Sequence, residues 1–388
     1  MRNPFKPRYP IEPEFFADRE RQIKMFERDL RRTLDSRYPE NIAILGDWGV
    51  GKSSLAYKFA HIAANMKGAK ILSTGIEVPK TIKSIDEFCF LLLFKLNQDI
   101  ASSKNITNKL REEIGNWRIR ALGIGPFTVE RGTEAIPKIP FIQLQSYLIE
   151  LWKDYLAKEG IECVVIVIDD IHLLLDAVKG GILDLRSVFQ ALPRYGCNYQ
   201  LIITGPKTLF GEIRELAEPV VRFFSTYEID CMNLDETKEM ITFPLKKAGS
   251  QIRVTHDVIE RIHEKTKGHP YFIAFFMQIL VEECKGNEID TSLYDRVLPE
   301  ITRELETQKF EKDVGMVSEG ERGVLSRIAR QPEEEVSFTD ISPPGKKSLT
   351  SKMLDRLVEK NLVIKSGRGR YRLYHPLFKE HLNIRFKE

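Results

Sequence analysis

The chain has few cysteines: five, at positions 89, 163, 197, 231 and 284. They are odd in number and far apart, and no Cys-x-x-Cys pair occurs. That pattern argues against a zinc site or a disulfide framework and predicts a reducing, cytoplasmic setting. Long apolar runs are also missing. The longest, Phe88–Phe94, falls far short of the roughly 20 residues that a membrane span needs. Ser84-Ile85-Asp86-Glu87 ahead of it reads as a capping box, so a buried helix is expected there and no membrane partner. The first ten residues, MRNPFKPRYP, contain no apolar core of a signal peptide. Neither sign of charge dominates: 59 Lys and Arg stand against 56 Asp and Glu, a net charge of +3. Bulk charge therefore cannot hold nucleic acid, and any such site must come from local clustering. There is no internal repeat and no low-complexity segment.

What remains is a soluble-protein composition, 42% hydrophobic and 30% charged over 388 residues, enough for two or three domains. A leader, Arg2 to Pro13, holds four prolines and cannot be regular helix. A helical pattern covers Asp18–Leu34. Strand signals at Asn41–Leu45, Ala69–Val78, Cys163–Ile168 and Gln200–Thr204 alternate with helical patterns at Lys52–Met66, Ile85–Ile100, Gln143–Lys158 and Leu183–Leu192. The alternation predicts an α/β core: a parallel sheet with helices on both faces. Continuous β-branched strands are what a sheet buried on both sides requires. Residues 101–140 fit this scheme poorly and read as an insertion, with a hairpin over Trp117–Arg131.

After Ile229 the strand signals stop, and Asn233–Glu236 is a helix-start signature. The expected organisation is a P-loop ATPase core over 1–230, a small helical lid domain over 231–312 and a winged-helix domain over 313–388. The last unit runs helix, acidic turn, helix (Leu349–Lys360), strand (Leu362–Lys365), Gly367-Arg368-Gly369, strand (Arg370–Tyr374) and short helix. A glycine turn between two short strands after a helix reads as a wing.

Gly46-Asp47-Trp48-Gly49-Val50-Gly51-Lys52-Ser53 matches G-x-x-x-x-G-K-[ST] in full, with Ser54 opening the helix behind it. Glycines let backbone N–H groups turn inward around a phosphate, and the following helix points its positive end at the anion. Lys52 then reaches the β- and γ-phosphates, and the Ser53 hydroxyl ligates Mg²⁺. The partner acid should end a buried strand, as Ile166-Val167-Ile168-Asp169-Asp170 does. Asp169 is expected to hold the metal. Asp170 either orients or deprotonates the attacking water, or merely caps the next helix. Thr204, at the end of the neighbouring strand, can touch the γ-phosphate or the water; the alternative is an ordinary strand-end threonine. No N-K-x-D guanine motif occurs, which favours ATP and ADP over guanine nucleotides.

Taken together, Phe16-Ala17-Asp18-Arg19-Glu20 ahead of the P-loop, the Asp169-Asp170 pair, Thr204 and Thr266-Lys267-Gly268-His269-Pro270 resemble the archaeal AAA+/STAND ATPases. The archaeal origin-recognition and cell-cycle ATPases are similar in plan, and the resemblance spans nearly the whole chain. It implies an adenine pocket lined by the segment around Phe16 and Arg19. It implies a lid helix, marked by His269 and Pro270, that faces the nucleotide, and an Arg222 offered to a neighbouring subunit's site. The bland readings are a proline-started helix for His269-Pro270 and a surface ion pair for Arg222. Two departures favour slow, switch-like turnover: no lid arginine stands in the Gly-His-Pro segment, and the acid pair is Asp-Asp where the family usually has Asp-Glu.

Two functions fit: an ATPase acting on duplex DNA (origin-binding, loading or mobile-element related), or a signalling switch whose winged helix binds protein. A metabolic kinase ranks last by fold analogy. Self-association with shared sites fits either of the first two. Residues 345–388 hold 12 basic against 4 acidic residues, about +8, which points to DNA. Lys346, Lys347, Lys352 and Arg356 can share one helix face, and Arg368, Arg370 and Arg372 alternate along the wing. The other reading is a solvated basic face used for protein contact.

Overall fold

The structure, a computed structural model, describes residues 3–103, 106–122, 138–178, 180–214 and 221–386. They divide into two compact units, Lys6–Ala248 and Gly249–Glu388, the second joined by Met1–Phe5. Among the described residues the first unit holds a five-stranded sheet: β1 (Ile42–Leu45), β2 (Ile71–Glu77), β3 (Cys163–Asp169), β4 (Tyr199–Gly205) and β5 (Ser225–Glu228). The spatial order is β2-β3-β4-β1-β5 and every pairing is parallel. All C-terminal strand ends therefore open on one edge, where α/β sheets bind ligands.

Alternation along the strands builds two cores. Val164, Ile166 and Ile168 of β3 join Leu93, Leu148 and Phe189 on one face. Cys163, Val165 and Val167 join Phe26, Leu55 and Phe59 on the other. Phe26 and Phe59 stack with ring centroids 4.3 Å apart, which clamps the helix Glu20–Ser36 onto the P-loop helix Lys52–Ala64. Glu20–Ser36 starts two residues later than the apolar pattern suggests, because Asp18 and Arg19 are both left-handed (φ 65° and 62°).

The hairpin expected over Trp117–Arg131 does not form where it can be seen. The helix Asn108–Leu122 takes its first residues, and 123–131 lie outside the described residues. Leu110 and Ile114, four apart and both buried, set a helical period that the short Trp117–Arg120 alternation does not overcome. The expected Gln143–Lys158 helix is Phe141–Glu150 followed by a wider π-type segment, Leu151–Leu156. Strand β5 had no signal of its own. It carries two threonine or serine residues in four and buries only Tyr227 of its four side chains in the core. Ser84 accepts from the Glu87 N–H, but the Glu87 carboxylate takes the Lys83 N–H instead of that of Ser84, so the capping box expected there is only half made; Asn233 and Glu236 form a reciprocal capping box.

In the second unit, the helices His256–Thr266, Pro270–Glu283 and Thr291–Leu305 come first, with a two-residue parallel pair, β6 (Arg253–Val254) and β7 (Glu288–Ile289). The chain then runs through helix Glu319–Ala329, β8 (Val336–Ser337), helix Lys347–Glu359, β9 (Val363–Gly367) and β10 (Arg370–Leu373), closed by helix Pro376–Arg385. The antiparallel order is β8-β10-β9. Buried polar contacts join its parts: Tyr374 donates to Asp313 at 2.8 Å, and Lys360 to Glu321 at 2.8 Å.

Candidate nucleotide site

The edge of the sheet assembles four motif residues. Gly46 follows β1 and cannot be replaced: a Cβ there would lie 2.7 Å from the Ile229 carbonyl oxygen. Gly49 (φ 74°) and Gly51 (φ 96°) take left-handed backbone that other residues avoid. Asp47, Trp48 and Gly49 form the half-buried crest of the loop, and Val50 is buried beneath it. The Lys52 ammonium folds back to donate to the Asp47 carbonyl at 2.8 Å. Burial pulls its pKa down, opposed by the charges of Asp170, Asp169 and Asp47.

Asp169 ends β3 at 5% exposure. Its Oδ1 accepts from Ser53 Oγ at 3.0 Å and from Thr204 Oγ1 at 2.5 Å. Burial raises its pKa, and those two hydroxyls lower it. Thr204 also accepts from the Asp170 N–H at 2.9 Å, so one hydroxyl ties both acids to β4. Asp170 itself is left-handed (φ 55°), and the cap position of the next helix, His172–Ala177, is Ile171 with no side-chain cap. The capping alternative for Asp170 is therefore not what the chain adopts.

These residues fit magnesium. Ser53 and Asp169 present hard oxygen donors, and a buried carboxylate whose ionised form burial disfavours gains most from a cation beside it. One carboxylate plus one hydroxyl suits an ion that keeps most of its waters and its nucleotide phosphates.

The leader lies along the P-loop helix. The Ile11 N–H donates to Ser54 Oγ at 3.2 Å, and Lys58 donates to the Pro13 carbonyl at 2.8 Å. Phe16 is buried in the same core as Val50, and the buried Arg19 donates to the Asp230 carbonyl at 2.5 Å. His269 stands at the N-cap position of the helix Pro270–Glu283 in the second unit without a side-chain cap, its ring 5.6 Å from that of His375. His375 in turn contacts the Thr266 carbonyl at 2.8 Å. Arg222 is exposed just before β5.

Three neighbours had no sequence signal. His172 lies 3.9 Å from the Asp170 carboxylate. Tyr57 packs where a Gly75 Cβ would sit, and burial plus the charges of Asp169, Glu77, Asp170 and Asp99 push its hydroxyl up to about 12. Lys207 pairs with Asp230, whose carbonyl receives Arg19. Each depends on strand register, which no local motif encodes.

Toward the C-terminus, Lys346, Lys347, Lys352 and Arg356 are exposed on or beside the helix Lys347–Glu359, while Leu354 and Leu357 are buried. Arg370 and Arg372 share one side of β10, but Arg368 stands in the turn, off the strand, so the expected three-residue alternation reduces to two. Arg372 is half-buried.

No family model and no curated protein matches the chain. Among solved structures, it is similar to the Aeropyrum pernix ORC2 protein in its ADPNP–ADP complexes (TM-score 0.61, 15% identity, 100% of this chain and 99% of that one). The ADP form of the same protein gives TM-score 0.55 at 16% identity over 99% and 96% of the two chains. The Walker-type ATPase PABY2304 of Pyrococcus abyssi gives 0.57 at 16% identity over 95% and 96%. At identity this low the likeness shows the fold alone.

Proposed function

We infer the function from a fold that the chain shares along nearly its whole length with the Aeropyrum pernix ORC2 protein and the Pyrococcus abyssi Walker-type ATPase. We propose that it is a magnesium-dependent ATPase of slow turnover that acts on duplex DNA through its winged helix. The observation that carries the first half is the hydrogen-bonded set of Ser53, Asp169, Thr204 and Asp170 at one sheet edge, with the Lys52 ammonium within reach of both carboxylate charges. Lys52 leaves the Asp47 carbonyl to meet the β- and γ-phosphates. Ser53 and Asp169 hold the magnesium that neutralises phosphate charge. Asp170, fixed through its N–H, orients the attacking water. The segment around Phe16 and Arg19 borders the adenine, and Arg222 serves a neighbouring subunit. That the ORC2 structures hold ADPNP and ADP supports the nucleotide assignment. The exposed cations of the winged helix support the DNA assignment.

Calorimetry and duplex binding test the two halves separately. Lys52→Ala should abolish magnesium-ATP binding, and Asp170→Asn should bind ATP yet hardly hydrolyse it. Wild-type affinity in Lys52→Ala would refute the site. Binding of a random duplex should weaken steeply with salt and drop in the Arg368→Ala/Arg370→Ala/Arg372→Ala variant. No binding at low salt, with or without ATP, would refute DNA and leave the protein-binding switch.

A further inference from the structure

The helix Glu20–Ser36 buries Phe26, Leu30 and Thr33 against the ATPase core. Its opposite face carries Arg21, Lys24, Arg28, Arg31 and Arg32, all exposed. At 3.6 residues per turn the five fall within an arc of about 100°, and at 1.5 Å per residue they form a stripe about 16 Å long. Asp35 alone among the helix's acids lies in that arc, at its far end. Glu20 and Glu27 stand beside it, and the Glu20 carboxylate accepts from Lys24 at 2.9 Å.

The fourth acid of the helix, Asp29, lies beneath the stripe and organises it. Its side chain is 4% exposed, while those of Arg28 and Arg32 are 56% and 58% exposed. Tyr227 donates to one carboxylate oxygen at 2.8 Å. Arg28 Nε donates to the other at 3.1 Å, and Arg32 lies 3.7 Å from it. A buried carboxylate thus holds two guanidiniums by one edge and leaves most of their donors facing outward. Just past the helix, Arg37 and the 66%-exposed Tyr38 extend the polar face.

A helix that only met water would gain by alternating its charges, since like charges at i,i+3 and i,i+4 repel. Here Arg21, Lys24, Arg28 and Arg32 stand in file at just those spacings. We propose that this stripe is a second contact surface for duplex DNA, gripping backbone phosphates from the ATPase unit independently of the winged helix. A row of cations along one helix face suits the regular phosphate line of a duplex, and arginine and lysine contacts to phosphate fix position without reading sequence. The inference deepens the DNA-acting reading and adds a second place where the chain meets the same partner.

The test uses the full chain and a fluorescent random-sequence duplex, with anisotropy titrations at several salt concentrations. Arg21→Glu/Lys24→Glu/Arg31→Glu spares the Asp29 cluster. Its expected effect is an affinity loss of about tenfold or more and a salt-dependence slope smaller by about 3, near 0.9 for each phosphate contact removed. Magnesium-ATP binding should stay at the wild-type level, which reports that the unit is folded. Should that variant fail to fold, Arg21→Gln/Lys24→Gln/Arg31→Gln carries the same expectation for the slope. Unchanged affinity and slope in the folded variant overturns the stripe, whatever the wing does. If only the wing variant loses affinity, the winged-helix reading stands and the stripe falls. If only the stripe variant does, the stripe stands and the wing falls. Wild-type protein that binds no duplex at low salt overturns both.

Discussion

Replacing Thr204 with valine removes one oxygen and leaves the rest of the site in place. Thr204 is fully buried, and valine keeps its volume and its β-branch, so the sheet packing survives. Two hydrogen bonds do not. One is the 2.5 Å bond to the Asp169 carboxylate, a charge-assisted contact with a net contribution of about 1.5–3 kcal/mol. The other satisfies the Asp170 N–H at 2.9 Å, and leaving a buried donor unmet costs about 1–3 kcal/mol. Both figures belong at their lower ends, because Ser53 still donates to Asp169 and Asp170 is partly open to water. The expected loss is about 2–4 kcal/mol. For a unit of this size each kcal/mol moves the melting temperature by about 2–4 °C, so the nucleotide-free transition of the ATPase unit should fall by roughly 10 °C. Scanning calorimetry reads this directly. Thr204→Ser, which keeps the oxygen, should recover most of the loss. A Thr204→Val protein that melts within about 2 °C of wild type, or a serine variant as unstable as valine, would refute the bridging role assigned to this hydroxyl.

Two further predictions concern pH. Burial raises the Asp169 pKa in the folded chain, so its favourable contribution is complete only below the ordinary carboxylate range and is lost as pH rises through the folded value. Nucleotide-free Asp169→Asn should therefore melt above wild type at neutral pH, and the gap should close in acid while magnesium-ATP binding is lost; a variant that melts lower at neutral pH would contradict this. Burial depresses His375 to about 4, so its contribution is present above about 6.5 and is lost as pH falls toward 4, at most about 3 kcal/mol. The stability difference between wild type and His375→Asn should shrink over that window, and a difference independent of pH would show that His375 is not held neutral.

The parts of the fold that could be read from sequence were those whose signal is local. The P-loop, the apolar β3 with its terminal acids, the wing glycine turn and the Asn233 capping box each declare themselves within about eight residues, and each lies where its pattern placed it. Thr204 also could be ranked, because a strand that ends beside the acid-bearing strand must bring its last polar side chain to the same edge. Strand β5 and the short β8 stayed hidden: neither has more than four residues, and both exist because a neighbour supplies the ladder.

The charged chemistry around the site was hidden for a different reason. Arg28, Asp29 and Arg32 read in sequence as an ordinary mixed-charge helix face, because the partner that selects Asp29 for burial, Tyr227, is nearly two hundred positions away. Once that hydroxyl takes the carboxylate inward, the arginines are left outside without an equal number of exposed acids beside them. The same logic governs Lys207, Asp230 and Arg19, where the strand ends of β4 and β5 decide which charges meet. Net charge counts each residue once, wherever it points. A chain of net charge +3 can therefore carry concentrated positive faces, provided that its carboxylates are the groups the fold buries or pairs. Asp29, Asp169, Asp313 and Glu321 are all buried here, and all four are tied to a hydroxyl or a lysine: Asp29 by Tyr227, Asp169 by Thr204 and Ser53, Asp313 by Tyr374, and Glu321 by Lys360. Asp29 differs in that its tyrosine lies inside while its cations lie outside, which is how a buried acid leaves positive charge on the surface of that helix.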